Sequence, residues 1–192
     1  MDTITAPEII VLDPGHGGKD TGAQGEYVKE KDVNLAVAHA TLDLINREDS
    51  GQYLPMVTRR HDESVSLRDR VAFASEVRAS LFLSIHCNAF RSDVPYDLQV
   101  YHWHISQTGF RLAKCLFDAL SPVDGGVSKW SRVEPNDNYY VLRNTACPAA
   151  LIELDFISHP EREQMLNDPA MHREYAQGIV AGLQNYSVFR EV

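Results

Sequence analysis

The sequence predicts a single α/β domain with a central, mostly parallel twisted sheet of about six strands and helices on both faces. Short apolar runs rich in β-branched residues alternate with longer segments whose apolar residues recur at helical spacing. The 192 residues are 44% hydrophobic, which is enough for one sizeable core. We therefore expect one domain over residues 1–192, with its core at about residues 9–186.

The first half of the chain has the pattern strand, helix, strand, helix, strand. We predict strands at residues 9–12, 54–58 and 79–85 and helices that begin at Glu30 and at Leu67. Ser66 and Asp69 form a variant capping box before the second helix. Its expected inner positions are Leu67, Val71, Ala74 and Val77.

The second half continues with three short strands and two helices. The strands are expected at residues 98–103, 139–142 and 149–154, and the helices at residues 109–120 and from Pro169 onward. Residues 121–137 have the composition of a loop. In that loop Trp130 lies near Lys129 and Arg132, so it either contacts a ligand or covers local core.

Composition excludes several classes of function. A net charge of -9 without a basic cluster argues against nucleic acid as a partner. The chain has no long apolar run, and its first residues lack the basic start and apolar core of a signal peptide. We expect a soluble monomer, made in the cytoplasm without a signal peptide or a membrane anchor. The three cysteines, Cys87, Cys115 and Cys147, lack CxxC spacing and are expected to be buried free thiols.

The first strand ends in a glycine-rich turn that carries His16. Open α/β sheets bind their ligands at such strand ends. Two further candidates for metal ligands are Glu30, at the start of a helix, and His86, at the end of the third predicted strand. Two histidines and one carboxylate match the three-ligand arrangement of catalytic zinc, which leaves one position for water.

Glu153 ends the apolar run of residues 149–153. A buried carboxylate without a partner is energetically costly, so such positions are often functional. A zinc ion activates water for the hydrolysis of amides or esters, and a nearby carboxylate moves the protons. These residues favour a metal hydrolase.

Other interpretations of these residues stay open at this point. In one interpretation, His16 makes local hydrogen bonds within its turn and binds no metal. Glu30 then only stabilises the start of its helix. A cysteine hydrolase can use Cys87, although neighbouring strand residues such as His86 and Cys87 point to opposite faces. A phosphate-binding loop is disfavoured because residues 15–22 do not fit the required glycine-lysine spacing.

Four motifs occur in order along the chain. They are DPGHGG with DTGA (residues 13–23), EKDVNL (residues 30–35), SIHCNA (residues 84–89), and VLR with PAALIELDFIS (residues 141–158). Together they resemble the motifs of zinc-dependent N-acetylmuramoyl-L-alanine amidases, which are cell-wall hydrolases. The resemblance extends from about Ile9 to Tyr186.

This resemblance implies one zinc ion per chain, with His16, Glu30 and His86 as ligands and Glu153 as the catalytic carboxylate. The implied substrate is peptidoglycan, cut at the amide bond between N-acetylmuramic acid and the L-alanine of the stem peptide. The chain departs from the family pattern at Asp155, where glycine is usual, and at His159, where asparagine is usual. We expect the charge of Asp155 to raise the pKa of Glu153.

The resemblance also bears on regulation and biological role. Several relatives carry an inserted helix that covers the zinc, and residues 90–97 are too short for one, so we expect a site that is open without an activator. A phage-type lysin released by a holin and a secreted antibacterial effector with an immunity protein fit a chain that acts in the periplasm or cell wall. A housekeeping enzyme ranks third, and a catalytically silent peptidoglycan-binding module is the alternative from another class.

Overall fold

A parallel sheet with one reversed edge organises the structure, a computed structural model that describes residues 6–48, 51–90, 98–123 and 131–190. The strands in these residues are β1 (Glu8–Pro14), β2 (Tyr53–Val57), β3 (Leu81–Asn88), β4 (Gln99–His102), β5 (Arg132–Pro135) and β6 (Ala149–Phe156). The helices are α1 (Glu30–Glu48), α2 (Leu67–Glu76), α3 (Gln107–Leu120), α4 (Tyr140–Asn144), α5 (Pro160–Leu166) and α6 (Pro169–Arg190).

The strand order is β2-β1-β3-β6-β4-β5. Strands β2, β1, β3 and β6 are parallel, whereas β4 runs antiparallel to β6 and carries β5 parallel to itself. The predicted α/β fold with a mostly parallel sheet is therefore confirmed. The chain leaves β1 for β2 on one side and then returns to β3 on the other side of β1. The loops after β1 and β3 thus diverge at a switch point, where open α/β sheets bind ligands.

The two faces of the sheet carry separate apolar clusters. On one face, Leu12, Ile85 and Ile152 belong to the large core that includes residues of α1, α3 and α6. On the other face, Val11, Phe82 and Leu151 pack with residues of α2 and α4, in a smaller cluster. The prediction of helices on both faces is confirmed.

The smaller cluster gives way to polar side chains toward the carboxyl ends of the strands. Successive strand residues alternate between faces, so the residues two positions beyond Val11, Phe82 and Leu151 share their face. These residues are Asp13, Ser84 and Glu153, and His86 follows Ser84 by two. The chain therefore places chemically active side chains at one end of one face.

Most predicted elements occur at or within a few residues of their expected positions. Helix α1 begins at Glu30 and α6 begins at Pro169, as predicted, and α6 buries Tyr175, Ile179 and Leu183. The Ser66 side chain accepts a hydrogen bond from the Asp69 backbone N–H at 3.2 Å, which caps α2.

Four details of the predicted pattern are wrong. Residues 139–142 were expected to be a strand because Tyr and Val favour strands, but α4 occupies this region and buries both Val141 and Leu142. The predicted loop of residues 121–137 contains the edge strand β5, and α5 was not predicted at all. On α2, Leu67 is 55% exposed and Arg70 is buried instead.

Some expectations concern residues outside the described ranges. Residues 91–97, on which the absence of an inserted helix depends, and Trp130 are among them. Cys87 and Cys115 are buried free thiols as predicted, whereas Cys147 is only half-buried. No helix within the described ranges is long and apolar enough to cross a bilayer.

Helices α3 and α6 pack together at two glycines of α6. One of these glycines faces the backbone of α3, and the other faces a side chain of α3. A Cβ atom at Gly182 would lie 2.9 Å from the backbone Cα of Leu116, whereas one at Gly178 would meet the end of the Leu120 side chain at 2.7 Å. A backbone atom can move less than the end of a side chain can. Gly182→Ala should therefore lower the free energy of unfolding by about 1–3 kcal/mol. Gly178→Ala should lower it less. Urea unfolding followed by circular dichroism measures both, and an equal or reversed order would contradict this packing.

Candidate metal centre

The turn after β1 has an unusual backbone that brings His16 over the end of the sheet. His16 has a φ of 60°, and Gly17 and Gly18 have φ values of 126° and 59°. A residue with a Cβ atom seldom adopts this left-handed region, and such strain is concentrated at functional sites. The glycines supply the freedom that the turn requires.

Glu30 joins two histidines that come from distant parts of the chain. Its Oε1 lies 3.0 Å from His16 Nε2 and 2.9 Å from His86 Nδ1. Its Oε2 accepts a hydrogen bond from the Ala23 backbone N–H at 2.8 Å. The candidate ligand atoms of the three side chains all lie within 4.8 Å of one another. Among the residues that the structure describes, this is the group with the geometry of a metal centre.

Asp20 fixes the orientation of the first histidine. Its Oδ2 lies 2.9 Å from His16 Nδ1, so the other ring nitrogen, Nε2, faces Glu30. A carboxylate behind a histidine is a common second partner of metal-binding imidazoles, because it sets both the ring orientation and the tautomer. Asp20 was not singled out from the sequence, although it lies within the DTGA motif.

The charges of the cluster support one another. Burial lowers the pKa of His16, but hydrogen bonds and charge from Glu30 and Asp20 outweigh it and raise this pKa to about 9. Burial raises the pKa of Glu30, but the hydrogen bonds with His16 and His86 outweigh it and hold this pKa well below its usual value. Glu30 is therefore a carboxylate with negative charge at neutral pH.

The residues around the cluster fit a zinc ion. Two imidazoles and one carboxylate are a donor set of catalytic zinc sites. A Cβ atom at Gly15 would lie 2.2 Å from His86 Cε1, and one at Gly22 would lie 2.5 Å from Glu30 Oε2. Only glycine at both positions leaves the ligand side chains where they are. The sequence-based prediction named His16, Glu30 and His86, and the fold brings these three side chains together.

Glu153 lies beside the cluster on the neighbouring strand. It is the register partner of His86 and is 7% exposed. Its Oε1 accepts a hydrogen bond from the Tyr139 hydroxyl at 3.3 Å, while its Oε2 is buried without a hydrogen-bond partner among the described residues. Burial raises the pKa of Glu153 to about 7; His86 opposes the rise, and the charge of Glu30 adds to it. Glu153 therefore changes charge near neutral pH.

The two departures from the family pattern lie outside the metal-ligand cluster. Asp155 is fully buried, and its Oδ2 lies 2.5 Å from the Arg162 guanidinium, which offsets its charge. The neighbouring carboxylate that helps to raise the pKa of Glu153 is Glu30. His159 is the N-cap residue of α5 and is not part of the metal-ligand cluster.

A groove opens next to the cluster on the face that carries α2 and α4. Its volume is about 410 Å³. His16 and His86 line one part of it, and Leu67, Tyr139 and Tyr140 line another. A larger cavity of about 530 Å³ lies between α1 and α6 and contains none of the cluster residues. Because the smaller groove combines apolar walls with convergent polar groups, it is the better candidate for substrate binding.

Fold and site together define an α/β protein with a candidate zinc centre at the switch point of its sheet. The chain belongs to the N-acetylmuramoyl-L-alanine amidase family (Amidase_3), whose model matches residues 10–185.

Curated relatives show the same likeness. The chain is 38% identical over 180 residues to Probable cell wall amidase LytH of Staphylococcus aureus. This match covers 92% of this chain and 57% of that protein. It is 32% identical over 222 residues to N-acetylmuramoyl-L-alanine amidase AmiC of Escherichia coli O6:H1. That match covers 94% of this chain and 53% of AmiC. The chain thus spans a little more than half the length of these relatives.

Solved structures share the fold. One is the CwlD amidase of Clostridioides difficile, whose structure was determined in complex with the GerS lipoprotein. It has a TM-score of 0.88 at 30% identity, and the match covers 95% of this chain and 99% of the CwlD chain. The catalytic domain of CwlV, an N-acetylmuramoyl-L-alanine amidase from Bacillus (Paenibacillus) polymyxa, has a TM-score of 0.85 at 29% identity, with coverages of 94% and 98%.

Gly15 gives a direct test of the cluster geometry. In Gly15→Ala the new methyl group overlaps the imidazole of His86, with contacts of 2.2–2.6 Å, so this ring must leave its position beside Glu30. Zinc affinity should fall by roughly 10–100-fold, the usual effect of disturbing a group that orients a ligand. Competition with a chromophoric chelator measures this affinity.

Gly51→Ala is the matched control for this test. Gly51 also has a positive φ, of 90°, but a Cβ atom there would have no neighbour within 4 Å, so zinc affinity should not change. A folded Gly15→Ala protein with the zinc affinity of the wild type would contradict the assigned geometry.

Proposed function

We propose that the chain is a zinc-dependent amidase that cuts peptidoglycan between N-acetylmuramic acid and the L-alanine of the stem peptide. The observation that carries this proposal is the His16–Glu30–His86 cluster beside the partly unpartnered carboxylate of Glu153. The membership of the chain in the amidase family supports the same reaction.

His16, Glu30 and His86 would hold the zinc ion. When bound, zinc polarises a carbonyl oxygen and lowers the pKa of water to about 7, which makes water a nucleophile at neutral pH. Glu30 contributes the negative charge of the donor set, because its pKa is held low. Asp20 keeps the His16 ring in its orientation through Nδ1.

Glu153 is the proposed general base and acid. With a pKa of about 7, it exists in both protonation states near neutral pH. It can therefore take a proton from the water that attacks the lactyl carbonyl and donate this proton to the departing alanine nitrogen. The Tyr139 hydroxyl orients Oε1 of Glu153, while Oε2 has no hydrogen-bond partner among the described residues.

The groove gives the substrate a place next to these groups. Its apolar and aromatic wall, formed in part by Leu67 and Tyr140, suits the sugar ring and the methyl groups of a muramyl peptide. Its floor contains the side chains of Asp13 and Ser84. Since Asp13 is already bonded to Thr58, Arg70 and Ser84, it is a support for the floor rather than a substrate contact.

A cysteine hydrolase is the weaker alternative. Cys87 is 3% exposed and belongs to the large core, on the other side of the sheet from the groove. Burial raises the pKa of its thiol well above the usual value, which disfavours the thiolate that a nucleophile needs. A catalytically silent binding module is the other alternative, and only an assay of product release separates it from the amidase.

The proposed substrate places the activity at the cell wall. We propose that the chain acts on the cell wall as a monomer, either as a lysin released by a holin or as a secreted antibacterial effector with an immunity protein. A housekeeping role ranks third. The GerS lipoprotein accompanies CwlD in its structure, whereas we propose that this chain needs no activator.

We expect opposite results for substitutions of the two buried side chains Glu153 and Cys87. Glu153→Gln should keep zinc and fold but lose turnover by about 10²–10⁴-fold, because the amide cannot relay the proton. Cys87→Ser should keep activity, and a chelator should abolish it in both the wild type and this variant. Mass spectrometry of peptidoglycan digested by the purified chain, without added partners, measures the released stem peptides.

Glu174→Gln is the control for loss of a carboxylate, because Glu174 is exposed on α6. It should digest peptidoglycan like the wild type. Full activity of Glu153→Gln would remove Glu153 from the mechanism. Binding of peptidoglycan by the wild type without release of peptide would instead favour the silent module.

A further inference from the structure

Two arginines lie almost completely buried beneath the loop that carries His16. Arg59 is 2% exposed and follows β2, and Arg70 is 3% exposed and lies in α2. Arginine is seldom fully buried unless its charge and its donors are matched, since an unpaired charge costs much free energy in the interior. Their positions therefore call for a set of specific partners.

Arg59 connects the two chain segments that carry His16 and Glu30. Its Nη2 donates to the Gly15 carbonyl at 2.9 Å and to the Lys31 carbonyl at 2.7 Å. Gly15 directly precedes His16, and Lys31 directly follows Glu30. One nitrogen atom thus sets the spacing between two candidate metal ligands.

Arg59 holds this position with further donors. Its Nε donates to the Pro14 carbonyl at 3.0 Å, and its Nη1 donates to the His61 carbonyl at 3.1 Å. A planar guanidinium can meet several acceptors at once in a fixed geometry, which a lysine ammonium on a flexible stem cannot. Arg59 is therefore a rigid link.

Arg70 secures the other side of the His16 loop. Its Nη2 donates to the His16 carbonyl at 2.7 Å, and its Nη1 donates to the Pro14 carbonyl at 2.7 Å and to Asp13 Oδ1 at 2.5 Å. His16 is the residue of this loop with a Cβ atom and a left-handed backbone. A hydrogen bond to its own carbonyl oxygen stabilises that strained conformation.

We propose that Arg59 and Arg70 are positioning residues that hold His16 and Glu30 in a ligating arrangement before a metal ion binds. This inference rests on the proposed metal site. The two arginines do not contact the imidazole or carboxylate groups of the ligands. They bond instead to the backbone at Pro14, Gly15, His16 and Lys31.

Such positioning affects metal affinity through preorganisation. A loop that is already ordered loses less conformational entropy when a ligand binds. Changing a group that orients a metal ligand typically weakens metal binding by roughly 10–100-fold. A purely structural arginine would change the stability of the fold and leave the affinity of the folded protein unchanged.

The test compares Arg59→Lys and Arg70→Lys with Arg162→Lys. Arg162 is also buried, at 7% exposure, but donates to Asp155 on β6, away from the two ligand segments. Two quantities are measured on each folded protein. They are the Kd for Zn²⁺, by competition with a chromophoric chelator, and the hydrogen exchange of residues 14–23 in the metal-free protein.

Arg59→Lys and Arg70→Lys should raise the Kd by roughly 10–100-fold and speed the exchange of this loop, while Arg162→Lys should leave both unchanged. Wild-type values in Arg59→Lys and Arg70→Lys would overturn the inference, as would an equal loss of affinity in Arg162→Lys. If Arg59→Lys does not fold, Arg70→Lys decides. A wild-type chain that binds no Zn²⁺ would refute the proposed function, and the exchange data would still test whether the arginines order the loop.

Discussion

The structure depends on one buried carboxylate placed between two imidazoles. Glu30 is 4% exposed, and its Oε1 meets both His16 and His86 at hydrogen-bond distance. A buried carboxylate needs partners for its charge, and the backbone N–H groups of Ala23 and Cys87 supply two more. Its position at the first residue of α1 adds the favourable field of a helix N-terminus. Three distant segments must therefore meet at this point.

The sheet topology explains why they meet. Strand β1 lies next to β3, so the His16 turn and His86 come to the same edge, and α1 begins where the chain leaves that edge for β2. Strand β6 pairs with the other side of β3 and brings Glu153 into register with His86. The same strand face carries apolar packing at one end and the candidate site at the other. Core packing and chemistry therefore share the same strands.

Local patterns in the sequence predict much of this arrangement. The apolar run before a glycine-rich turn locates β1 and His16, and the carboxylate in an apolar run locates Glu153. Contacts between distant residues leave no such pattern. The buried arginines Arg59 and Arg70 bond to backbone carbonyls, which any sequence provides, and Arg162 offsets the charge of Asp155 from another element. Residues 140–144 form α4 and not the predicted strand, because Val141 and Leu142 are buried against α2, a contact that local composition does not reveal.

The central claim is that His16, Glu30 and His86 bind one divalent ion. The most direct measurement is a crystal structure of the purified chain, with diffraction data collected on both sides of the zinc absorption edge. We expect one anomalous peak per chain among these three side chains. A chain saturated with zinc that shows no peak there, or shows its peak at other residues, would contradict the account.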